Sequence, residues 1–581
     1  MKKILLMLAL MLPCLGAWAQ ISSLSDLNNT TTYTIKCVNR GFLYYDSNNA
    51  GYVTSSSHTS LVDATPTGAE NEQFAFLRTD NTTEGQYYLY SKAAGQFLTY
   101  KSGNVALQLT DNPEHAWVVA SASWSGNNGF TIKVPETAQT YINITNWQAQ
   151  KGCKVIGTGV DAGNLMTIKA VDTEADFSST AIAKIEKFER DFVWAEVNSV
   201  LECLAPFVDY DDTNWGFANA DDCEVFIALA YASESADLTD LKELVDKCRA
   251  FILPVPKKFF RIKAVEGWND DARYLGAKNS TASTSRAEYV ANADKNTIFY
   301  GDGSSLVSYG SGNYLVSNSN FLGYNGVQAQ GTKFHFGLAS NKLLSAYNIS
   351  FNDGTRWLYC NQNNYTDAGG RGTQNGYCFN LEFLTEIPVT ISAYKFASFY
   401  APVAMTAPEG VTAYYITDSY DVNGTTYATL TEVTNNVIPA NTGVLLYSET
   451  ADTYNLTFGG EATANENNWL NGTANSTYIS DEAYVLGVAD GKIGLYLADM
   501  NQQGNTSWIN NGFKAYLPAS KVSTTSNVIR FVFGGETTGI ESVVNKDVDT
   551  NAPIYDLSGR RVMNTVKGGI YIQNGKKVYI K

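Results

Sequence analysis

The chain has 581 residues, which at about 100 to 200 residues per domain predicts several domains. Charged residues make up only 17 % and the net charge is −16, which opposes a nucleic-acid or anionic-membrane interface because such interfaces need a basic face. Three histidines are too few to favour His-centred catalysis or a zinc site. Aromatic residues reach 13 %, as in a folded, Tyr-rich β protein, and no cofactor or metal is expected.

The first nineteen residues have the features of a secretory signal peptide. Lys2 and Lys3 precede an apolar stretch over 4–15, and small residues stand at Ala17 and Ala19. No later apolar run reaches the roughly 18 residues of a membrane helix. We therefore expect an exported protein without a membrane span, located at the cell surface, in the outer membrane or outside the cell. Lipoprotein processing at Cys14 is the alternative.

Seven of the eight cysteines follow the leader, at wide and irregular spacings without a C-x-x-C unit. Such spacing argues against a zinc site and favours small buried apolar residues. Two pairs, Cys360 with Cys378 and Cys223 with Cys248, could form disulfides in an oxidising compartment.

Residues 31–171 contain a weak threefold repeat with a period of about 45 residues. Each unit opens with a short strand, continues with an apolar pair after a turn, and closes with another strand. The opening segments are YTIK (33–36), YYLY (87–90) and FTIK (130–133), the pairs are FL (42–43), FL (97–98) and YI (141–142), and the closing segments are FAF (74–76), WVV (117–119) and MTI (166–168). Because no single unit buries its own apolar face, we expect the three to pack around a pseudo-threefold axis.

The closing positions carry a resemblance to a known family. The sequences Glu72-Gln73-Phe74 and His115-Ala116-Trp117 are similar to the Gln-x-Trp motif of the ricin-type β-trefoil family, although neither is a strict match. The resemblance implies a β-trefoil, and shallow sugar-binding pockets of the kind found in that family.

A second copy of the pattern occupies 256–387 and begins with FFRIK (259–263). The theme of an aromatic residue, Leu, a turn and a polar residue returns in RYL (273–275), NYL (313–315), KFHF (333–336), RWLY (356–359) and FNLEF (379–383). We therefore predict a second trefoil-like domain.

Between the two copies, the apolar period changes from 2 to 3.6, which is typical of helices. Three stripes are present: Ile182, Ile185, Phe188 and Phe192 continued by Val193, Val197, Val200 and Leu204; Cys223, Phe226, Ile227 and Ala230; and Leu238, Leu241, Val245, Cys248 and Ile252. Pro206 and Pro254 follow the first and third stripes. We interpret this region as a small helical bundle that acts as a spacer.

Regular short strands over 388–536 predict a β-sandwich. The phrases APVAMTAPEGVTAYYI (401–416), VIPANTGVLLY (437–447), YVLG (484–487) and KAYLPAS (514–520) resemble an accessory domain of secreted Bacteroidetes proteins. The end of the chain, IYDLSGRRV (554–562) and GGIYIQNGKKVYIK (568–581), resembles the sorting tail of proteins exported by the type IX route. These resemblances imply a Bacteroidetes origin and type IX secretion.

The predicted chain is mostly β, with two trefoil-like domains separated by helices, then a β-sandwich and a short β tail. The predicted boundaries are a signal peptide at 1–19, a trefoil-like domain at 20–172, a helical spacer at 173–255, a second trefoil-like domain at 256–387, a β-sandwich at 388–536, and a linker with the tail at 537–581.

Sugar binding places an aromatic ring against the flat face of a sugar and uses Asn, Asp or Gln to bond its hydroxyls. Three turns carry such combinations: Tyr44, Tyr45, Asp46 and Asn48; Asn146, Trp147 and Gln148; and Trp268, Asn269 and Asp270. The alternative is that these aromatic residues fill the core or cap of the trefoils.

The sequence contains no H-E-x-x-H, P-loop, G-x-S-x-G or dinucleotide-binding motif. We therefore predict a non-catalytic, lectin-like glycan-binding protein. One alternative is a structural or adhesion protein that binds a host or surface protein. A glycoside hydrolase that uses an unrecognised pair of carboxylates is less favoured. The oligomeric state stays open.

Overall fold

The structure, a computed structural model, describes the chain with gaps. It describes residues 20–38, 41–45, 53–55, 69–100, 107–135, 140–145, 152–157, 159–207, 220–233, 235–265, 273–277, 287–318, 321–323, 327–339, 342–351, 354–360, 375–500, 506–524, 526–533, 553–555, 560–562, 570–573 and 576–579. The chain is mostly β with one small helical region, as predicted. Two compact units are present, Met1–Ala205 with Asn219–Ala250, and Pro206–Ala218 with Phe251–Lys581.

The β part of the first unit consists of twelve strands in the described residues. They are β1 (Thr32–Cys37), β2 (Leu43–Tyr45), β3 (Val53–Ser55), β4 (Phe74–Leu77), β5 (Gln86–Ser91), β6 (Gln96–Thr99), β7 (Gln108–Thr110), β8 (Trp117–Trp124), β9 (Asn127–Lys133), β10 (Thr140–Thr145), β11 (Gly152–Gly157) and β12 (Met166–Asp172). Six of them form a closed antiparallel ring in the order β1, β4, β5, β8, β9, β12 and back to β1. The other six pair as the hairpins β2–β3, β6–β7 and β10–β11. A six-stranded barrel with three hairpins is the β-trefoil arrangement.

The barrel core explains the sequence repeat. Each ring strand contributes two alternate residues to one buried cluster: Tyr33 and Ile35, Phe74 and Phe76, Tyr87 and Leu89, Trp117 and Val119, Phe130 and Ile132, and Met166 and Ile168. Alternation follows from the strand geometry, which turns successive side chains to opposite faces. The indole of Trp117 is fully buried and donates its Nε1–H to the Leu98 carbonyl at 3.1 Å. The opening and closing segments of the repeat are thus the six barrel strands.

In the part of the chain that the structure describes, three α-helices follow the trefoil: α1 (Ala183–Leu204), α2 (Ala220–Ala230) and α3 (Leu238–Arg249). The apolar stripe of α3 is buried as predicted, except that Ile252 lies beyond the end of the helix and is exposed. The start of the helical region packs on the trefoil, where Phe177 and Ile185 join a cluster with Tyr88 and Phe97. In the described residues, no helix is both long and apolar enough to cross a membrane.

The second unit opens with a second set of trefoil strands. They are β13 (Phe259–Ala264), β14 (Tyr274–Ala277), β15 (Ala287–Val290), β16 (Phe299–Gly301), β17 (Leu306–Ser308), β18 (Val316–Asn318), β19 (Phe321–Gly323), β20 (Phe334–Leu338), β21 (Tyr347–Phe351), β22 (Arg356–Trp357) and β23 (Phe379–Phe383). Five of the six barrel pairings of the first trefoil have a counterpart here. They are β20–β21, β21–β23, β23–β13, β13–β16 and β16–β17. In the described residues β17 and β20 do not pair; the Phe334 N–H of β20 instead donates to the carbonyl of Ser304, two residues before β17, at 2.9 Å.

The described remainder of the second unit contains four sheets: one of nine strands, two of four strands, and the two-stranded sheet β33–β36. The strands are β24 (Glu386–Ile391), β25 (Phe396–Ala401), β26 (Met405–Thr406), β27 (Thr412–Val422), β28 (Thr425–Glu432), β29 (Val437–Ile438), β30 (Thr442–Tyr447), β31 (Asp452–Phe458), β32 (Asn471–Thr473), β33 (Thr477–Ile479), β34 (Ala483–Ala489), β35 (Lys492–Leu497), β36 (Trp508–Asn510), β37 (Lys514–Pro518), β38 (Val528–Phe533), β39 (Ile554–Tyr555), β40 (Arg561–Val562), β41 (Ile570–Gln573) and β42 (Lys576–Tyr579). The sheet β24-β31-β26-β29 and the nine-stranded sheet β25-β30-β27-β28-β38-β35-β34-β37-β32 are both antiparallel, apart from the parallel pair β28–β38. The strands β39 to β42 form a sheet of their own.

Strand β13 is buried on both faces at its first two residues. Phe260 points into the barrel beside Phe336, whereas its neighbour Phe259 points outward and stacks on Phe458 of β31, with ring centroids 5.2 Å apart and planes at 11°. Phe259 also contacts Phe513, so the second trefoil and the strands after it share one apolar cluster.

A close backbone contact accompanies this shared core. The Ser476 N–H donates to the Gly312 carbonyl at 2.6 Å, and a Cβ at Gly312 would lie 2.7 Å from the Gly512 nitrogen. Only glycine therefore fits at position 312, where φ is also +71°.

Neither of the two disulfides considered from sequence is formed, since Cys223, Cys248 and Cys360 carry free thiols. Burial raises the pKa of Cys248 to about 12 and that of Cys360 to about 11. Both thiols therefore stay protonated and unreactive at neutral pH.

The buried tyrosines of the second unit predict a loss of stability in alkali. Burial, helped by the negative charge of Asp302, raises the pKa of Tyr300 to about 12, against 10.0 for an ordinary tyrosine. Between these values the folded chain keeps a proton that the unfolded chain releases, so the free energy of unfolding falls as the pH rises. The slope reaches about 1.4 kcal/mol per pH unit for each such group. Urea denaturation at pH 8, 10 and 11 measures this fall, and Tyr300→Phe should lessen it; a flat profile would contradict the burial.

Candidate ligand-binding hairpin of the first trefoil

Most of the side chains predicted to bind sugar lie outside the described residues: Asp46, Asn48, Asn146, Trp147, Gln148, Trp268, Asn269 and Asp270. Tyr44 and Tyr45 are described, and they lie on opposite faces of β2. Tyr45 packs against the barrel core, whereas Tyr44 is half-buried opposite Thr54 of β3. Tyr44 thus stays a candidate.

The third hairpin, β10–β11, carries a group of polar side chains that bond one another. Tyr141 and Asn143 stand two residues apart on β10 and so share one face of the strand. Tyr141 is half-buried, whereas Asn143 is 4 % exposed. The residues 146–148 singled out from the sequence follow β10 directly in the chain.

Asp161 holds the turn that precedes β12. Its Oδ1 atom accepts hydrogen bonds from the Gly163 N–H at 2.6 Å, the Asn164 N–H at 3.1 Å and the Asn143 amide at 3.2 Å. In return, the Asp161 N–H donates to the Asn164 side chain at 2.8 Å. Reciprocal bonds of this kind are typical of Asx turns, which Asp and Asn favour because their short side chains reach the backbone two residues on.

The turn is tied to the barrel and to the hairpin. Asn164 is fully buried and donates its amide to the Gly159 carbonyl at 2.9 Å, while the Ile144 N–H of β10 donates to the Gly163 carbonyl at 2.9 Å. A polar side chain buried this deeply is stable only when it is bonded in this way. The Asp161 carboxylate is therefore held rigidly beside β10.

One oxygen of this carboxylate is left for a ligand. Asp161 Oδ1 takes the three bonds above, whereas Oδ2 accepts none from the described part of the chain, and the side chain is half-buried. A fixed, partly desolvated carboxylate oxygen is a strong acceptor for hydroxyl groups, because charge-assisted hydrogen bonds are about twice as strong as neutral ones.

The second hairpin repeats part of this arrangement. Thr99, the last residue of β6, donates its hydroxyl to Glu114 at 2.6 Å, and Gln96 donates to Asp111 at 2.9 Å. In both hairpins a polar side chain of the strand thus bonds a carboxylate in the turn before the next barrel strand. Glu114 is exposed, however, so its carboxylate competes with water for any ligand.

The second trefoil has a different group at the ends of β13 and β14, which flank the predicted residues 268–270. Lys263 donates to Glu382 at 3.0 Å, and Tyr274 donates its hydroxyl to the same carboxylate oxygen at 3.3 Å. The Lys263 ammonium also lies 5.1 Å from the centre of the Tyr274 ring. These hydrogen bonds raise the pKa of Lys263 above its ordinary value. The Glu382 carboxylate is thus paired with an ammonium, whereas the bonds to Asp161 come from two backbone N–H groups and an amide.

Sequence reasoning missed Asn143, Asp161 and Asn164. A local signal existed, because Asp161-Ala162-Gly163-Asn164 is a sequence typical of an Asx turn. The bond from Asn143 to Asp161 joins residues 18 apart in the chain, and it follows only from the trefoil topology. Within the described ranges, no three His, Cys, Asp or Glu side chains are grouped so as to hold a metal ion.

No family model and no curated protein matches the chain. Similar solved structures include a ricin B-like lectin of Macrolepiota procera in complex with lactose, at 18 % identity and TM-score 0.20, covering 24 % of this chain and 96 % of that chain. The C-half of an earthworm R-type lectin in complex with GalNAc has 15 % identity and TM-score 0.17, covering 24 % and 98 %. A mosquitocidal holotoxin has 10 % identity and TM-score 0.21, covering 84 % of this chain and 52 % of that chain. TM-scores this low establish no relationship, and the trefoil assignment rests on the strand pairing.

Proposed function

We propose that the chain is an exported, non-catalytic glycan-binding protein whose main sugar site is the third hairpin of the first trefoil. The observation that carries the proposal is the Asp161 carboxylate, which is fixed by three hydrogen bonds through one oxygen and presents the other beside β10. A sugar offers several hydroxyl donors, and such a carboxylate accepts from two neighbouring ones without moving.

Aromatic rings on the same hairpin complete the proposed site. Tyr141 shares a face of β10 with Asn143, and Trp147, predicted from the sequence to contact sugar, belongs to the segment that joins β10 to β11. A ring stacked on the apolar face of a sugar excludes water from the hydrogen bonds at its edge. The signal peptide and the sorting-like tail support export to the cell surface or beyond, from a Bacteroidetes cell through the type IX route.

A glycan array probed with the mature chain tests the proposal. We expect binding to at least one glycan class, with lactose and GalNAc conjugates among the first probes, and a loss of about 10-fold or more in affinity for Trp147→Ala. Tyr394→Ala is the control, because that ring is 43 % exposed and lies outside the first trefoil, in the turn between β24 and β25. Absence of binding to every glycan, with capture of a protein partner that free glycan does not displace, would favour the adhesion protein instead.

A further inference from the structure

The second unit contains a cleft that belongs to neither trefoil. It measures about 790 Å³ and lies between β34, β37 and the short turn at Ala519–Lys521. Clefts of roughly 300 to 1,000 Å³ are the usual size of small-ligand sites.

The walls of the cleft are held in place by hydrogen bonds. Tyr484 is 4 % exposed and donates its hydroxyl to the Ser526 carbonyl at 2.8 Å. Trp508 donates its Nε1–H to the Asp481 carbonyl at 3.0 Å and packs edge-on against the Tyr516 ring, with centroids 5.2 Å apart. Tyr516, which lines the cleft, thus has its ring held by a packed neighbour.

The residues that line the cleft include both hydrogen-bond donors and hydrogen-bond acceptors. The lining residues include Asp481, Glu482, Ser520, Lys521 and Asn527, and none of these five side chains has a hydrogen bond to the described part of the protein. The two carboxylates accept, the ammonium donates, and the hydroxyl and amide do both. All five side chains are exposed, so each competes with water as Glu114 does, and a ligand is held only by several of them together. The charges nearly balance, with two negative groups against one positive.

We propose that this cleft is a second carbohydrate site, selective for neutral oligosaccharides. A neutral sugar presents hydroxyls that both donate and accept, and so it satisfies carboxylates and ammonium together, while a fixed tyrosine ring faces its apolar side. Phosphorylated or sulfated ligands are repelled by Asp481 and Glu482, which outnumber Lys521. Two weak sites on one chain raise the avidity for a repeating polysaccharide.

The test uses the full mature chain with the trefoil site weakened by Asp161→Asn. This variant should keep binding to at least one of lactose, N-acetyllactosamine, mannotriose and maltotriose, measured by calorimetry. Adding Asp481→Asn and Lys521→Met together should lower that remaining affinity by 10-fold or more. The pair leaves the net charge unchanged, so a general electrostatic effect is avoided.

A second pair, Glu466→Gln with Lys492→Met, is the matched control, because both residues are exposed and neither lines the cleft. It should leave the remaining affinity unchanged. The proposal is overturned if Asp161→Asn alone removes all binding, or if the cleft pair binds as well as its control. If Asp161→Asn binds as tightly as the wild type, and binding is lost only when the cleft pair is added, the cleft is supported and the trefoil site is rejected.

Discussion

Phe259→Ala is expected to destabilise the second unit by about 3 to 5 kcal/mol, the usual range for a buried Phe replaced by Ala. The ring is 1 % exposed and packs against Phe458, Phe513, Tyr300 and Tyr309. Its loss leaves a cavity in the cluster that the second trefoil shares with the strands after it. We therefore expect both parts to lose stability together.

Hydrogen exchange with mass spectrometry measures this coupling, since it reports opening segment by segment. Peptides from β20 and β21 of the trefoil, and from β31, should lose protection to the same degree in Phe259→Ala. Phe192→Ala is the control, because that ring is 41 % exposed and its removal should cost about 1 kcal/mol or less. Loss of protection confined to the trefoil strands would show that the shared cluster does not couple them.

Asp161→Asn is expected to weaken glycan binding by roughly 10- to 150-fold, equivalent to the 1.5 to 3 kcal/mol of a hydrogen bond to a charged group. The substitution is isosteric, and an Asn oxygen at the Oδ1 position still accepts from Gly163 and Asn164. Its amide replaces Oδ2, so an acceptor becomes a donor and the sugar hydroxyls lose their partner. The fold should be preserved while the affinity falls.

Calorimetric titration with the best glycan from the array measures the affinity, and thermal unfolding checks the fold. Asp240→Asn is the control, because it makes the same chemical change at an exposed position of α3. An affinity equal to that of the wild type, in a variant with unchanged unfolding temperature, would remove Asp161 from the site.

The trefoil is predictable from sequence because its core repeats. Alternating pairs such as Phe74 with Phe76, or Phe130 with Ile132, mark each barrel strand, and their threefold recurrence fixes the radial packing. The stripe of α3 was recognisable for the same reason, since Leu238, Leu241 and Val245 lie on one buried face of this helix. The other two stripes were predicted less well, because Phe192 and Ala230 are exposed. Periodicity reports which residues of an element face the same side.

Periodicity does not report which elements meet. In the sequence, the adjacent Phe259 and Phe260 look like one apolar pair. In the structure they lie on opposite faces of β13 and belong to two different cores. The bond from Asn143 to Asp161 and the cleft beside Tyr516 likewise depend on contacts between distant segments. The sugar-binding residues chosen from sequence were aromatic residues with Asn, Asp or Gln on turns, whereas the carboxylate proposed here as the main acceptor lies in a separate turn before β12.

The most direct test of the proposed sugar site on the third hairpin is a crystal structure of the mature chain soaked with the glycan that binds best on the array. We predict sugar density over β10, with a hydroxyl within hydrogen-bonding distance of Asp161 Oδ2 and an aromatic ring of the third hairpin against the sugar face. Sugar bound elsewhere, with the Asp161 carboxylate bonded only to solvent, would contradict the assignment of this hairpin as the main site.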